Sequence, residues 1–221
     1  MARIARVVIP GYLHHITQRG NRRQETFFCK EDYELYKELM TRWCKRYGGE
    51  IWAYCLMPNH VHLIAVPRDA ESFHKVIGEA HRRYTRSINF REMWRGHLWQ
   101  GRFASSVMDE NYLMAAVRYI ELNPVRAHLV KDPVEYRWSS ANAHMKGRDD
   151  GLVVVGPLLN RIQDWGSFLQ AGVEKEKTVL IRRDERTGRP LGSTAFLIRL
   201  ENELGKRLTP LKGGRPRKQQ N

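Results

Sequence analysis

The stretch IWAYCLMPNHVHLIAV, Ile51 to Val66, constrains the fold more than any other. Two apolar runs flank a Pro58-Asn59 pair. Proline presets one backbone angle and asparagine tolerates tight turns, so the segment reads as a hairpin of Ile51–Met57 against His60–Val66. Residues i and i+2 of a strand share a face, which makes His60 and His62 neighbours. Val61 and Leu63 point the other way, toward a helix layer. The paired imidazoles have three readings: polar residues on a wet face, acid–base groups, or metal ligands. Two donors are too few for a metal. Neither an HExxH run nor a cysteine cluster supplies a third.

The rest of the chain supplies the hairpin's partners. An apolar segment from Tyr12 to Thr17 ends in the basic turn QRGNRRQ. KEDYELYKELMTRWCKRYGG is an amphipathic helix with acidic residues first, basic residues last and Gly48-Gly49 to stop it. Residues 70–89 have helical spacing with Phe73, Val76, Ile77 and Ala80 inward, and Phe103 to Met108 reads as a short strand. Glu110 to Leu122 is helical and ends at Asn123-Pro124, because a residue before proline disfavours the α conformation. Strand, helix, hairpin, helix, strand, helix is the order of an α+β sandwich, one antiparallel sheet with helices packed on it. The compact core is expected to fill residues 1–150, closing near the polar, glycine-bearing KGRDDGLVVVG. Residues 151–221 are expected to form a basic extension, with a helix capped by Ser193 and a terminal GRPRK too polar to bury a core.

A formal net charge of +14 over 221 residues calls for a polyanionic partner, nucleic acid before an anionic membrane surface. No apolar run approaches the roughly 20 residues that span a bilayer. The N-terminus lacks the apolar core and cleavage site of a signal peptide. Cys29, Cys44 and Cys55 have no CxxC spacing and read as free thiols in a reducing, cytoplasmic setting.

A third donor is available in ENYLMAAVRYIELNPVRA. Asn123 follows Tyr119 by four residues, so a carboxamide oxygen and a phenol share a helical face. Tyr112 lies on nearly the same face, and spacing does not choose between the two tyrosines. Nor does spacing show that this helix meets the histidine strand. His14 and His15 are adjacent on a strand, so at most one faces the cleft. His74 and His81 read as surface residues.

MPNHVHLIAVP followed by YIELNPVRA resembles the IS200-like tyrosine transposases, single-strand DNA enzymes of the His-hydrophobe-His (HUH) superfamily. HHITQRGNRRQETFF, LWQGRF and RWSS are also similar to that family, so the likeness spans about Pro10 to Ser140. TGRPLG and GRPRK make the chain look like the REP-associated branch, which acts on palindromic repeats. The resemblance implies a ferredoxin-like sandwich of HUH type, with His60, His62 and Asn123 as ligands of Mg²⁺ or Mn²⁺. It makes Tyr119 the nucleophile that forms a 5′-phosphotyrosine with single-stranded or hairpin DNA. A monomer is implied over the helix-exchanging dimers of insertion-sequence relatives. The alternatives are a non-catalytic regulator that holds repeat hairpins, and a metal phosphodiesterase using water.

Arg19, Arg22 and Arg23 of the QRGNRRQ turn, with Arg95, Trp99 and Arg102 of WRGHLWQGRF, suit phosphate contact and base stacking. Trp99 has packing as its plain alternative. Arg126 lies close enough in sequence to Asn123 to help ionise the phenol. Arg215, Arg217 and Lys218 of GRPRK resemble an AT-hook core, whose arginines reach a narrow minor groove. The extension from Thr187 is expected to bind DNA without contributing to the chemistry.

Overall fold

The computed structural model describes residues 7–208. Four strands form one antiparallel sheet in the order β2-β3-β1-β4: β1 Leu13–Arg19, β2 Gly49–Met57, β3 His60–Pro67 and β4 Ala104–Met108. Helix α1, Lys30–Tyr47, joins β1 to β2, and α2, Ser72–Arg91, joins β3 to β4. This is the ferredoxin-like sandwich. α3, Glu110–Glu121, follows β4 and lies against the opposite sheet face.

Each face has its own core. Ile16, Tyr54, Leu56, Val61, Leu63 and Ala65 pack beneath α1 and α2, against Tyr36, Met40, Phe73, Val76, Ile77 and Ala80. Leu13, Ala53, Cys55, Met57, Ile64 and Met108 pack beneath α3. The strict two-residue alternation of β1 and β3 divides these sets, as the hairpin sequence requires.

Motifs far apart in sequence meet in one aromatic cluster on the α1–α2 side. Phe27 stacks on Tyr33 at 4.3 Å, and Tyr33 stacks on Trp138 at 4.5 Å. Trp99 stacks on His81 at 4.6 Å and touches Tyr36 and Tyr84. Two expectations are corrected here. Trp99, read as a base-stacking residue, is 7% exposed and belongs to the core. His81, read as a surface residue, is buried and hydrogen-bonds Tyr36 Oη at 2.9 Å. The turn before this cluster pins the hairpin tip, with Gly20 N–H donating to Asn59 O and Thr26 N–H to Pro58 O, both at 2.8 Å. A Cβ on Gly20 would sit 2.2 Å from Gln24 O, so the turn needs glycine there for space.

The chain does not leave its core at residue 150. Leu152, Val153 and Val155 are buried in the α1–α2 core, and Val153 bridges to Ile51 at the β2 edge. Beyond the short helices α4 Asn123–Arg126, α5 Ala141–Met145, α6 Gly156–Leu159 and α7 Trp165–Gln170 come α8, Lys175–Thr187, and α9, Thr194–Leu204. Leu191 between them bridges to Met108 at the β4 edge. Both sheet edges thus receive backbone partners from later chain, which covers groups that would otherwise invite another strand. Ser193 caps α9 as expected, its hydroxyl accepting from Phe196 N–H, while Ser193 N–H donates to Asp109 Oδ2. Arg215, Arg217 and Lys218 lie outside the described residues.

Two consequences are measurable. Deleting residues 187–221 removes Leu191, Phe196, Leu200 and Leu208, each at most 5% exposed. At about 1.5–3 kcal/mol per buried side chain, unfolding should move to clearly lower denaturant concentration. An unchanged midpoint would show that this segment adds no stability. The second concerns Asp32, where burial opposes the carboxylate but Arg91 and the N–H groups of Phe28 and Cys29 outweigh it. They hold the Asp32 pKa below its ordinary value. Its stabilisation is therefore complete above the usual carboxylate range and fades as pH falls through the lower folded value. Asp32→Asn should unfold more readily than the parent at pH 7, and the gap should close as acid protonates the parent's carboxyl. Melting curves from pH 7 to 2 read both.

Candidate active site

The HUH pair lies on β3, on the face that α3 covers. In register, Arg19 of β1 stands across from His60 and Thr17 across from His62. His15, two residues before Thr17, shares this face. Its Nε2 and His62 Nδ1 are hydrogen-bonded at 3.0 Å, with the rings stacked 5.3 Å apart. Of the adjacent histidines, then, His15 enters the site. His14 turns to the other side, against Phe73 and Ser105. Burial disfavours the charged imidazoles. It lowers His15 to about 3 and, with Arg19 nearby, His60 to about 4. Burial first, and then His60, His15 and the arginines, drive His62 well below its ordinary value. These rings are neutral at pH 7, the state that offers lone pairs to a cation.

α3 carries the phenol to the same pocket. The Tyr119 ring stands edge-on to His62 at 5.8 Å and to His15 at 6.5 Å. The helix breaks at Leu122 and restarts as α4, where Pro124 fits the first turn because its missing N–H would find no helical partner there. This places Asn123 beside the histidines. His60 Nδ1 donates to Asn59 Oδ1 at 2.6 Å, which leaves Nε2 facing Asn123 Nδ2 at 3.4 Å. Asn123 Oδ1 accepts from Arg126 Nη2 at 3.3 Å. To ligate a cation through oxygen beside His60, the carboxamide has to turn over. Tyr112 stays at the start of α3 as a partly buried packing residue.

Arg126 caps Tyr119, with its guanidinium carbon 4.1 Å from the ring centre. Its Nε and Nη1 are buried without hydrogen-bond partners, which suits them to an incoming anion. Of the arginines assigned to DNA, Arg19, Arg22, Arg23, Arg95 and Arg102 are exposed. Arg22 and Arg23 sit at positive φ (52° and 64°), in the turn that leaves β1 beside His60. Arg118, the neighbour of Tyr119 in sequence, lies over Phe168.

One participant was missed in the sequence. Glu185 of α8 reaches into this pocket, 3.6 Å from His62 Nδ1, and influences Tyr119 electrostatically. Burial raises its pKa to about 7, against the opposing effects of Tyr119 and the arginines 19, 182 and 126. Burial, then Glu185, raise the Tyr119 pKa, while Arg182 and Arg126 counter them. The only sequence signal for Glu185 is its place four residues after Ile181, which is fully buried. The basic extension drawn from residue 151 therefore reaches the site, because α8 borders Tyr119 just before the segment from Thr187.

These donors suit a divalent cation. His60, His62 and Asn123 form one set. Ligand atoms of His15, His62 and Glu185, within 4.8 Å of one another, form a second. Both sets include His62.

Among the described residues no helix is long and apolar enough to cross a membrane. Residues 9–123 match the family described as Transposase IS200 like. A solved REP-associated tyrosine transposase bound to a REP hairpin superposes with a TM-score of 0.57 at 22% identity, over 70% of this chain and 90% of that one. A putative transposase from Deinococcus radiodurans aligns over 53% of this chain and 95% of its own, at 20% identity and a TM-score of 0.38. No curated protein matches the sequence. With the match covering more than half its length, and including both the HUH pair and Tyr119, the chain belongs to the IS200-like transposase family.

Proposed function

We propose that this protein is a metal-dependent tyrosine transposase of the REP-associated kind, which cuts and rejoins single-stranded DNA at palindromic hairpins. The observation that carries the proposal is Tyr119 standing 5.8 Å from His62, on the same sheet face as both HUH imidazoles. A packing tyrosine has no need of that polar surrounding. A divalent ion, Mg²⁺ or Mn²⁺, held by His60, His62 and Asn123 would polarise a non-bridging phosphate oxygen and offset charge developing on phosphorus.

The chain's own residues do the rest. The free N–H groups of Arg126 receive the phosphate beside the phenol. The Tyr119 oxygen attacks phosphorus in line, the bond to the 3′-oxygen breaks, and a 5′-phosphotyrosine remains with a free 3′-hydroxyl. A second 3′-hydroxyl later displaces Tyr119 and rejoins the strands without ATP. Arg19, Arg22 and Arg23 at the end of β1, with Arg95 and Arg102, guide the backbone through exposed positive charge. Nucleophile and histidines come from one chain, which supports a monomer as the working unit. The setting is cytoplasmic, where such DNA is found.

The test is incubation with labelled single-stranded hairpin DNA and Mn²⁺, followed by denaturing electrophoresis. The parent should form a protein–DNA adduct and Tyr119→Phe should form none. Cleavage that persists in Tyr119→Phe would identify a water-using phosphodiesterase, and binding without cleavage by the parent would identify a regulator. For the basic terminus, a chain ending at Leu208 keeps the buried α9 and lacks Arg215, Arg217 and Lys218. It should bind DNA more weakly, with a shallower dependence on salt, and still cleave a short oligonucleotide at saturation. Affinity and salt slope equal to the parent's would remove the terminus from DNA binding.

A further inference from the structure

The buried carboxylate of Glu185 has no role in the reaction as drawn from the HUH residues alone. It stands where three elements meet: β1 brings His15, β3 brings His62, and α8 brings Glu185. Glu185 Oε1 is buried and accepts no hydrogen bond. The His62 imidazole, 3.6 Å away and 2% exposed, already shares a hydrogen bond with His15. A buried carboxyl oxygen without a hydrogen-bond partner is costly, and such groups are ordinarily paired or bound to a metal. Asn123 presents the opposite case, since its oxygen already accepts from Arg126.

We propose that Glu185, with His15 and His62, forms a binding site for a divalent transition-metal ion, so that α8 contributes a ligand to the metal centre. Two imidazole nitrogens and one carboxylate oxygen are a donor set that first-row divalent ions accept, with open positions left for water or phosphate. Nδ1 of His62 faces both His15 and Glu185. The hydrogen bond between His15 Nε2 and His62 Nδ1 gives way on loading, as both lone pairs turn to the ion and a proton is released or moved to the outer nitrogens. The carboxylate that would bind the ion also interacts with Tyr119, tying the cation site to the phenol.

This inference rests on the proposed metal dependence and is tested without DNA, so its outcome is independent of whether an adduct forms. Mn²⁺ is titrated into the full-length chain, with free Mn²⁺ read by electron paramagnetic resonance and heat by calorimetry. Glu185→Gln keeps the side chain's shape and removes its charge, and His15→Gln removes a second donor on another element. Each should weaken Mn²⁺ binding at least tenfold while circular dichroism stays that of the parent. Glu176→Gln, an exposed change in the first turn of the same helix, should bind as the parent does. If Glu185→Gln does not fold, His15→Gln alone decides. A smaller loss than tenfold in the folded variants, an equal loss in Glu176→Gln, or no Mn²⁺ binding by the parent overturns the site. Failure of the adduct assay with Mn²⁺ binding intact would count against the transposase reading and leave this one standing.

Discussion

The antiparallel pairing of β1 with β3 determines where every polar group of the site goes. Because side chains alternate, a slip of one residue along β3 would change which residues oppose His15 and Arg19. In the observed register Arg19 opposes His60 and His15 reaches His62. That register is fixed from both sides. The apolar residues of alternate parity commit Ile16, Val61 and Leu63 to the α1–α2 core, and the Gly20 turn locks the hairpin tip through Asn59 and Pro58.

The two sheet faces divide the work. The α1–α2 face is filled by aromatic and aliphatic side chains and serves as a rigid floor, as close packing makes it. The α3 face mixes apolar packing with buried histidines, an arginine and a carboxylate. Each of these groups sits away from water, so each interacts more strongly with its neighbours than it would at the surface. The depressed imidazoles and the raised Glu185 share their leading cause, burial away from water.

The sheet and its first helices were legible because their signals are periodic: alternation in the hairpin, helical spacing in α1 and α2, proline at Asn123-Pro124. The choice of Tyr119 rested on resemblance, since Tyr112 and Tyr119 share a helical face by spacing alone, and the fold sets Tyr119 beside His62. His15 was half legible: strand parity says that one of two adjacent histidines faces the cleft, and register says which. Trp99 misled because its arginine-rich neighbourhood suggests stacking on bases, whereas its partners Phe27, Tyr36 and Tyr84 come from distant segments. The later chain misled for a related reason. It buries residues such as Val153, Trp165, Ile181 and Leu191 from short elements joined by polar, glycine-bearing links, and their partners lie far away in sequence. Glu185 sits in a helix dense with charge, where one more acidic residue draws no notice.

Glu121, two residues past Tyr119, is fully buried and accepts from Ser140 Oγ, His144 Nδ1 and Trp165 Nε1 at 2.5, 2.7 and 2.8 Å. The tether holding the reactive helix therefore runs to Trp165, beyond the point where the chain reads as leaving its core. Exchanging that later stretch between relatives would swap an anchor of the scissile machinery along with it. The smallest inheritable unit of this catalyst is longer than the span that bears its motifs.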